Sequence, residues 1–380
     1  MRRNICVALS LTCVLGASQV SATVRILDTT PEISALIAKG TAHEEKKQYD
    51  QAIFDFSEAL LLKPTPLVAA ELYGLRGSEH VFKGDFESAK ADAEEAIRLA
   101  PHYFRGYQTR ARLFGAETKF DRAMTEINRA IQLEPNLGTL YMDRGNLMSS
   151  EGKQARAIAE YDKAIKLNPR GSSYYIGRGV AYQEMGRNEA ALADYHQAIL
   201  LNPVAVESYH NRATINFARK DYPRVIADLD RYIQLIPNDG AVYAFRARAF
   251  IAQRNYRRAG ADLREAIDLA PHDAHTLNTL AWLRATCPDD SERDGKAAVD
   301  AATQACALTK WKDNNHLDTL AAAYAEAGDF DRAVNFEIRA LSGFSGQKRK
   351  DAEARLALYR EHKPYHETRA TPAPSPTPSP

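Results

Sequence analysis

The 380-residue chain has little cysteine, almost no net charge and no recognisable catalytic motif. Of four cysteines, Cys6 and Cys13 fall in the first 22 residues, which leaves Cys287 and Cys306 and no C-x-x-C redox or zinc pair. Fifty basic residues face 49 acidic ones, a net charge of +1, so no global field draws the chain to nucleic acid or to an anionic membrane. The run Lys348-Arg349-Lys350 sits beside acidic residues and reads as a solvated helix start. G-x-S-x-G, H-E-x-x-H and glycine-rich phosphate loops are all absent. The histidine pairs His272/His275 and His362/His366 have no third ligand nearby in sequence. No catalytic residue, metal site or cofactor is therefore expected, and the chain reads as a non-enzyme. Nothing in it has the alternation of a strand.

What the chain does have is a period. Proline recurs every 34 residues at Pro101, Pro135, Pro169, Pro203, Pro237 and Pro271. Counting each unit from 31 residues before its proline, position 4 is Tyr73, Tyr107, Tyr141, Tyr175, Tyr209 and Tyr243. Position 8 is always Gly or Ala, from Gly77 to Ala247, and positions 20 and 27 are nearly always Ala. Small residues at 8 and 20 let two antiparallel helices approach closely, aromatics fill the space between pairs, and proline at 32 stops the second helix because it cannot donate to the ladder.

The units YMDRGNLM with AIAEYDKAIKLNP, and YIGRGVAY with ALADYHQAILLNP, resemble the tetratricopeptide repeat in its Y-x-x-R-G variant, as found in exported bacterial arrays. The resemblance covers residues 33–347. It implies an all-α chain, an α-solenoid wound as a right-handed superhelix of nine helix-turn-helix repeats with a C-terminal capping helix. The repeats fall at 33–66, 70–103, 104–137, 138–171, 172–205, 206–239, 240–273, 274–312 and 314–347. The eighth carries a five-residue insertion in its inter-helix turn. Residues 23–32 form a lead-in. Residues 348–366, including DAEARLALYREHKPY, supply the cap with Ala352, Leu356 and Tyr359 on one face. That segment resembles the closing segment of bacterial proteins sharing the W-L-x-A-T-C-P-D insertion. The Pro/Ser/Thr-rich residues 367–380 are expected to be disordered.

A pairing is visible inside the single sequence. Position 7 is Arg76, Arg110, Arg144, Arg178, Arg212 and Arg246, while position 23 is Asp92, Glu126, Glu160, Asp194, Asp228 and Asp262. The first repeat keeps the charges as Lys39 and Asp55. In the eighth and ninth, Leu280 and Leu320 replace the arginine, and Ala301 and Phe336 replace the acid. Because both charges vanish together, positions 7 and 23 are expected to touch across each helix pair as structural ion pairs rather than to form a stripe for polyanions.

Residues 1–22, with MRRN, a short apolar segment and Val20-Ser21-Ala22, read as a cleaved secretory signal peptide, so the chain is expected to be exported and periplasmic. The apolar run is shorter than the ~20 residues a bilayer requires, and no stable membrane insertion is expected after cleavage. Cys287 and Cys306 are placed ~12 Å apart at 1.5 Å per helical residue, and are expected as buried thiols rather than a bridge.

By the family's pattern, ligands resemble peptides laid against helix A of successive repeats. Mapping its positions 2, 5, 6, 9, 12 and 13 gives a candidate groove of Arg105, Gln108, Arg112, Asp143, Asn146, His210, Asn211, Phe217, Phe245, Arg248, Asn278 and Trp282. Ala241 and Phe245 stand where a C-terminal-carboxylate clamp would need Lys and Arg, which argues against chaperone-tail binding. The function these features imply is a protein-interaction scaffold in the cell envelope that binds peptide or protein segments. The alternatives are a non-catalytic accessory subunit of an envelope enzyme or assembly machine, and a cytosolic adaptor if there is no signal. On this reading Arg105→Glu with Arg112→Glu weakens capture and leaves helicity intact.

Overall fold

The computed structural model describes residues 29–368. The signal segment, most of the lead-in and the tail from residue 369 lie outside the described residues. Among those described there is no strand, and no helix is long and apolar enough to cross a membrane. The chain divides after Arg212 into two compact units.

The first unit holds α1 (Pro31–Glu45), α2 (Tyr49–Leu61), α3 (Pro66–Lys83), α4 (Phe86–Leu99), α5 (Phe104–Ala116), α6 (Phe120–Leu133), α7 (Gly138–Ser150), α8 (Gln154–Leu167), α9 (Ser172–Glu184) and α10 (Asn188–Leu201). The division falls inside α11 (Val206–Ala218). The second unit contains α12 (Tyr222–Leu235), α13 (Gly240–Ala252), α14 (Tyr256–Leu269), α15 (Ala274–Thr286), α16 (Gly295–Leu308), α17 (Asn314–Glu326), α18 (Phe330–Leu341) and α19 (Gly346–Arg360). Within the first unit α1–α10, and within the second α13–α18, odd and even helices pair as hairpins and each hairpin packs on the next.

Local chemistry sets the boundaries. Asp85 and Asp329 cap α4 and α18 by accepting from Ser88 N and Arg332 N. Position 15, in the hairpin turn, is left-handed in every hairpin but the eighth, where the insertion forms a short 3-10 turn at Asp290–Glu292. Gly84, Gly152, Gly186 and Gly328 adopt it without cost; Lys47, Thr118, Lys220 and Arg254 adopt it with positive φ despite a Cβ. The three extra residues after the first repeat are absorbed by α3, which starts early on Pro66 at its first turn and runs to 18 residues.

Packing explains the small position 8. In the first unit Gly145 lies under the ring of Tyr161, and an added Cβ would come within 2.8 Å of it. Gly40/Phe56 and Gly179/Tyr195 repeat the arrangement. Where position 8 is alanine in the proline-locked repeats, position 24 is Ile127, Leu229 or Leu263 rather than a tyrosine, whereas Gly77 in the second repeat is matched with Ala93 and leaves its space to Thr109 and Asp92. The tyrosine at position 4 closes the joint between repeats. Tyr107, Tyr141, Tyr175 and Tyr209 donate their hydroxyls to the carbonyls of Pro101, Pro135, Pro169 and Pro203 at 2.8–3.2 Å.

In the second unit α15–α18 change style. Their shared core is mostly alanine, including Ala281, Ala298, Ala302, Ala305 and Ala323, so the helices sit close together. Leu320 and Phe336 fill the place of the arginine–acid pair in this core. The thiols of Cys287 and Cys306 are free and buried, and burial pushes that of Cys306 up to about 11. On α19, Ala352 and Leu356 pack on Leu341, and Tyr359 packs on Ala321, Ala325 and Ala333, covering a face of the last hairpin.

Candidate binding surfaces

The arginines of position 7 are the most regular feature. Arg76, Arg178 and Arg246 each grip the aspartate at position 23 through Nε and Nη2 at 2.7–2.9 Å. Arg110 and Arg144 reach Glu126 and Glu160 through Nη2 alone, at 2.8 and 2.7 Å. In the first hairpin Lys39 reaches Asp55 at 2.8 Å. Arg212 ends the first unit with Nη1 3.5 Å from His196, and Asp228 is buried in the second.

A second anchor joins adjacent repeats. The remaining guanidinium nitrogen reaches position 25 of the preceding repeat: Arg76 to Ser57 at 3.0 Å, Arg144 to Asn128 at 2.9 Å, and Arg178 to Asp162 and Arg246 to Asp230 at 2.6 Å. Each such arginine also lies over the tyrosine of position 4, 5.2–5.9 Å from the ring centroid. Arg76, Arg144, Arg178 and Arg246 therefore each staple a hairpin to itself and to its predecessor. A polar position 25 was the available signal.

The choice of Asp or Glu has a consequence. Glutamate is one methylene longer, and the Nε atoms of Arg110 and Arg144 are buried without a partner. Glu160→Asp should let the carboxylate take both Nε and Nη2, as Asp194 does for Arg178. The expected gain is about 0.5–1.5 kcal/mol, the net worth of one added hydrogen bond, less a few tenths for aspartate's lower helix propensity. Urea unfolding midpoints of Glu160→Asp and of the reverse change Asp194→Glu should move in opposite directions.

Four predicted groove residues are not open to a ligand at all. Arg105, Gln108, Arg112 and Asp143 are at most 5% exposed and form one buried network. Arg105 grips Glu71 through Nε and Nη2 at 2.7 and 2.6 Å and donates from Nη1 to Gln108 at 2.8 Å. Gln108 donates to Asp143 at 2.7 Å, and Arg112 donates to both oxygens of Asp143 and to Ser78. The Tyr103 hydroxyl completes the shell of Glu71 at 2.9 Å. Gly74 makes room for this, since a Cβ there would lie 2.1 Å from Arg105 Cγ. The physical reason is register: Glu71 and Arg105 occupy position 2 of adjacent repeats, so helix A of one repeat neutralises the next. Pairing within a single repeat does not bring these acids to the arginines; pairing between adjacent repeats does.

Two guanidiniums are matched here by Glu71 and Asp143, which leaves Glu44 and Glu79 as surplus. Both are buried and retain oxygens without hydrogen-bond partners. Burial, with Glu44 nearby and Arg112 only partly offsetting, pushes Glu79 up to about 9. Burial also raises Glu44 to about 7, against the pull of Arg112 and Arg105 and with Glu45 and Glu71 adding to the rise. In the second unit burial and Asp318 raise Glu337 to about 9, with Arg355 opposing.

A carboxyl whose folded pKa is raised holds its proton in the folded state after the unfolded chain has released it. Stability is then full below the unfolded value near 4.5 and declines as pH rises through the folded value. Unfolding free energy is accordingly expected to fall between about pH 5 and pH 9, and Glu79→Gln should flatten the slope for the first unit. Denaturant titrations at several pH values check this; a slope of the opposite sign would refute it.

The other predicted residues divide. Asn146 is half-buried and accepts from the Tyr161 hydroxyl at 2.7 Å. Asn211 serves the hydroxyl of Tyr195, and His210 is exposed. In the second unit Phe217 and Phe245 lie 5.4 Å apart, and the exposed Arg248 guanidinium sits over both rings at 5.0 and 5.9 Å. Asn278 and Trp282 are half-buried and line a recess of about 230 Å³ with Tyr256, Leu283 and Glu367. Of the histidines, His366 pairs with Glu326 at 2.6 Å, and His362 stacks near Phe330. Among the described residues no group of three or more His, Cys, Asp or Glu is placed to hold a metal.

Models of the tetratricopeptide repeat match residues 33–66 and 70–103, 145–186, and 176–240. The chain belongs to the tetratricopeptide-repeat family. It is 32% identical over 80 residues to the small glutamine-rich tetratricopeptide repeat-containing protein 2 of Saccharomyces cerevisiae, a match spanning 21% of this chain and 22% of that relative. A crystal structure of the APC/C hetero-tetramer Cut9–Hcn1 contains a chain similar at a TM-score of 0.57 and 15% identity, covering 76% of this chain and 55% of that one. YrrB, described as a tetratricopeptide-repeat protein with an unusual peptide-binding site, is similar at a TM-score of 0.40 and 17% identity, over 49% of this chain and 96% of that one. At 15% identity the likeness to the Cut9–Hcn1 chain is one of fold.

Proposed function

We propose that the chain is a non-enzymatic scaffold that binds peptide or protein segments on the A helices of its repeats, in the cell envelope. The observation that carries this reading is the Phe217–Phe245–Arg248 cluster. An exposed guanidinium lies over two half-exposed rings on adjacent A helices, and phenylalanine and arginine are both enriched at protein interfaces. Family membership supports protein partners, and the export reading rests on the composition of residues 1–22.

The test is affinity purification of the chain from separated envelope and cytosolic fractions, with quantitative mass spectrometry, for the wild type and Arg248→Glu. A stoichiometric partner in the envelope fraction that is lost with Arg248→Glu, at unchanged melting temperature, is the expected result. An enzyme as that partner would identify an accessory subunit. A partner found only in cytosol would remove the envelope assignment, and full retention by Arg248→Glu would remove the cluster as the site.

A further inference from the structure

After α19 the chain turns back over its own repeats. His362 adopts a left-handed conformation, Lys363 N bonds Leu358 O at 2.9 Å, and the following residues leave regular structure. Glu367 N donates to the carbonyl of Thr286 at 2.8 Å, at the end of α15. The carboxylate of Glu367 accepts the indole N–H of Trp282 at 2.8 Å. Tyr365 lies 6.1 Å from the Trp282 ring, with the Arg355 guanidinium over both rings at 5.7 and 5.5 Å. His366 reaches Glu326 on α17.

This is how an extended peptide is held: one backbone bond, one carboxylate on a fixed donor, and one aromatic in contact. The hold is shallow, because Pro364 to Glu367 and Trp282 are all only half-buried. It is also incomplete. Beside Glu367 the recess of about 230 Å³ continues between Tyr256, Ile251 and Leu283, with apolar walls that the segment leaves uncovered.

We propose that this face of α15 is a ligand site of the second unit, separate from the Phe217–Phe245–Arg248 cluster, and that residues 364–367 are its resident occupant. The inference rests on the scaffold reading above and gives it a ligand class. That class is an extended segment with an aromatic residue two positions ahead of a carboxylate, followed by an apolar side chain for the recess. A ligand of this kind must displace Tyr365 and Glu367, so the site is self-masked until one arrives.

The experiment uses the full chain and a labelled, amidated peptide of sequence Lys-Pro-Tyr-His-Glu-Leu. Tyr365→Ala with Glu367→Ala should bind it about tenfold or more tighter than wild type, since removing a competing occupant raises the competent fraction. The same peptide with Gln for Glu should bind markedly less well. A folded double variant that binds no better than wild type overturns the proposal. Should that variant not fold, amide exchange in the wild type decides. Exchange at Glu367 faster than at Leu283 by about a hundredfold or more fits a displaceable occupant opening locally, and equal rates show a permanent strap and overturn it. If the envelope partner is still captured while the released site takes no peptide, this inference fails and the scaffold reading stands.

Discussion

Replacing Arg105 with leucine is expected to destabilise the first unit by about 3–5 kcal/mol, the usual cost of stranding one member of a buried ion pair. Glu71 is 1% exposed and loses two charge-assisted bonds, keeping only the Tyr103 hydroxyl. Gln108 loses the donor to its carbonyl. Removing the acid as well, as Glu71→Leu with Arg105→Leu, should recover most of the loss, because an apolar pair of similar volume can replace a buried ion pair. Urea unfolding of the two variants measures both steps. The stronger change, Arg105→Glu with Arg112→Glu, adds two carboxylates to a region already holding Glu44, Glu71, Glu79 and Asp143 with no remaining guanidinium of the network. It should abolish folding of the first unit, visible as lost helicity by circular dichroism. This replaces the sequence-based expectation of intact helicity.

The second large effect is expected at Arg355, which fastens α19. Its Nε and Nη2 donate to Asp318 Oδ1 at 3.0 and 2.7 Å, and Nε lies 3.4 Å from Glu337. With Glu337 raised to about 9 and holding its proton at neutral pH, Arg355 and Asp318 form the effective ion pair. Arg355→Leu strands Asp318, removes the contact over Trp282 and Tyr365, and should cost about 3 kcal/mol. The observable is selective: proteolysis within residues 346–360 should accelerate strongly, while the first unit keeps its denaturation midpoint. Arg355→Lys should fall between, since lysine keeps the charge but not the fork geometry. Equal protease resistance in all three forms would remove Arg355 as the fastening of α19.

Much of this architecture could be read in the residues because a period imposes itself at many positions at once. Proline at 32, tyrosine at 4 and small residues at 8 are separate constraints, and they meet physically where Tyr141 bonds Pro135 and Gly145 lies under Tyr161. The matching of position 8 to position 24 is also written in the residues, as Gly179/Tyr195 against Ala247/Leu263, although Gly77 with Ala93 departs from it. The site was less legible. Family positions placed Arg105 and Arg112 on the ligand-facing side of helix A, but the burial of a side chain depends on what the adjacent repeat presents. Here that is Glu71 and Asp143. The contact of Glu367 with Trp282 joins residues 85 apart and lies in no repeat, so periodicity could not reveal it.

What reads as a row of basic residues awaiting a ligand is, on this account, the internal fastening of the fold. A double-mutant cycle on Arg178→Leu and Asp194→Ala tests that most directly. These residues share two hydrogen bonds at 2.7 and 2.9 Å, and the aspartate is buried. The predicted result is that the double variant is more stable than Arg178→Leu alone, with a coupling energy of about 1–3 kcal/mol. Simple additivity of the two single effects would contradict it.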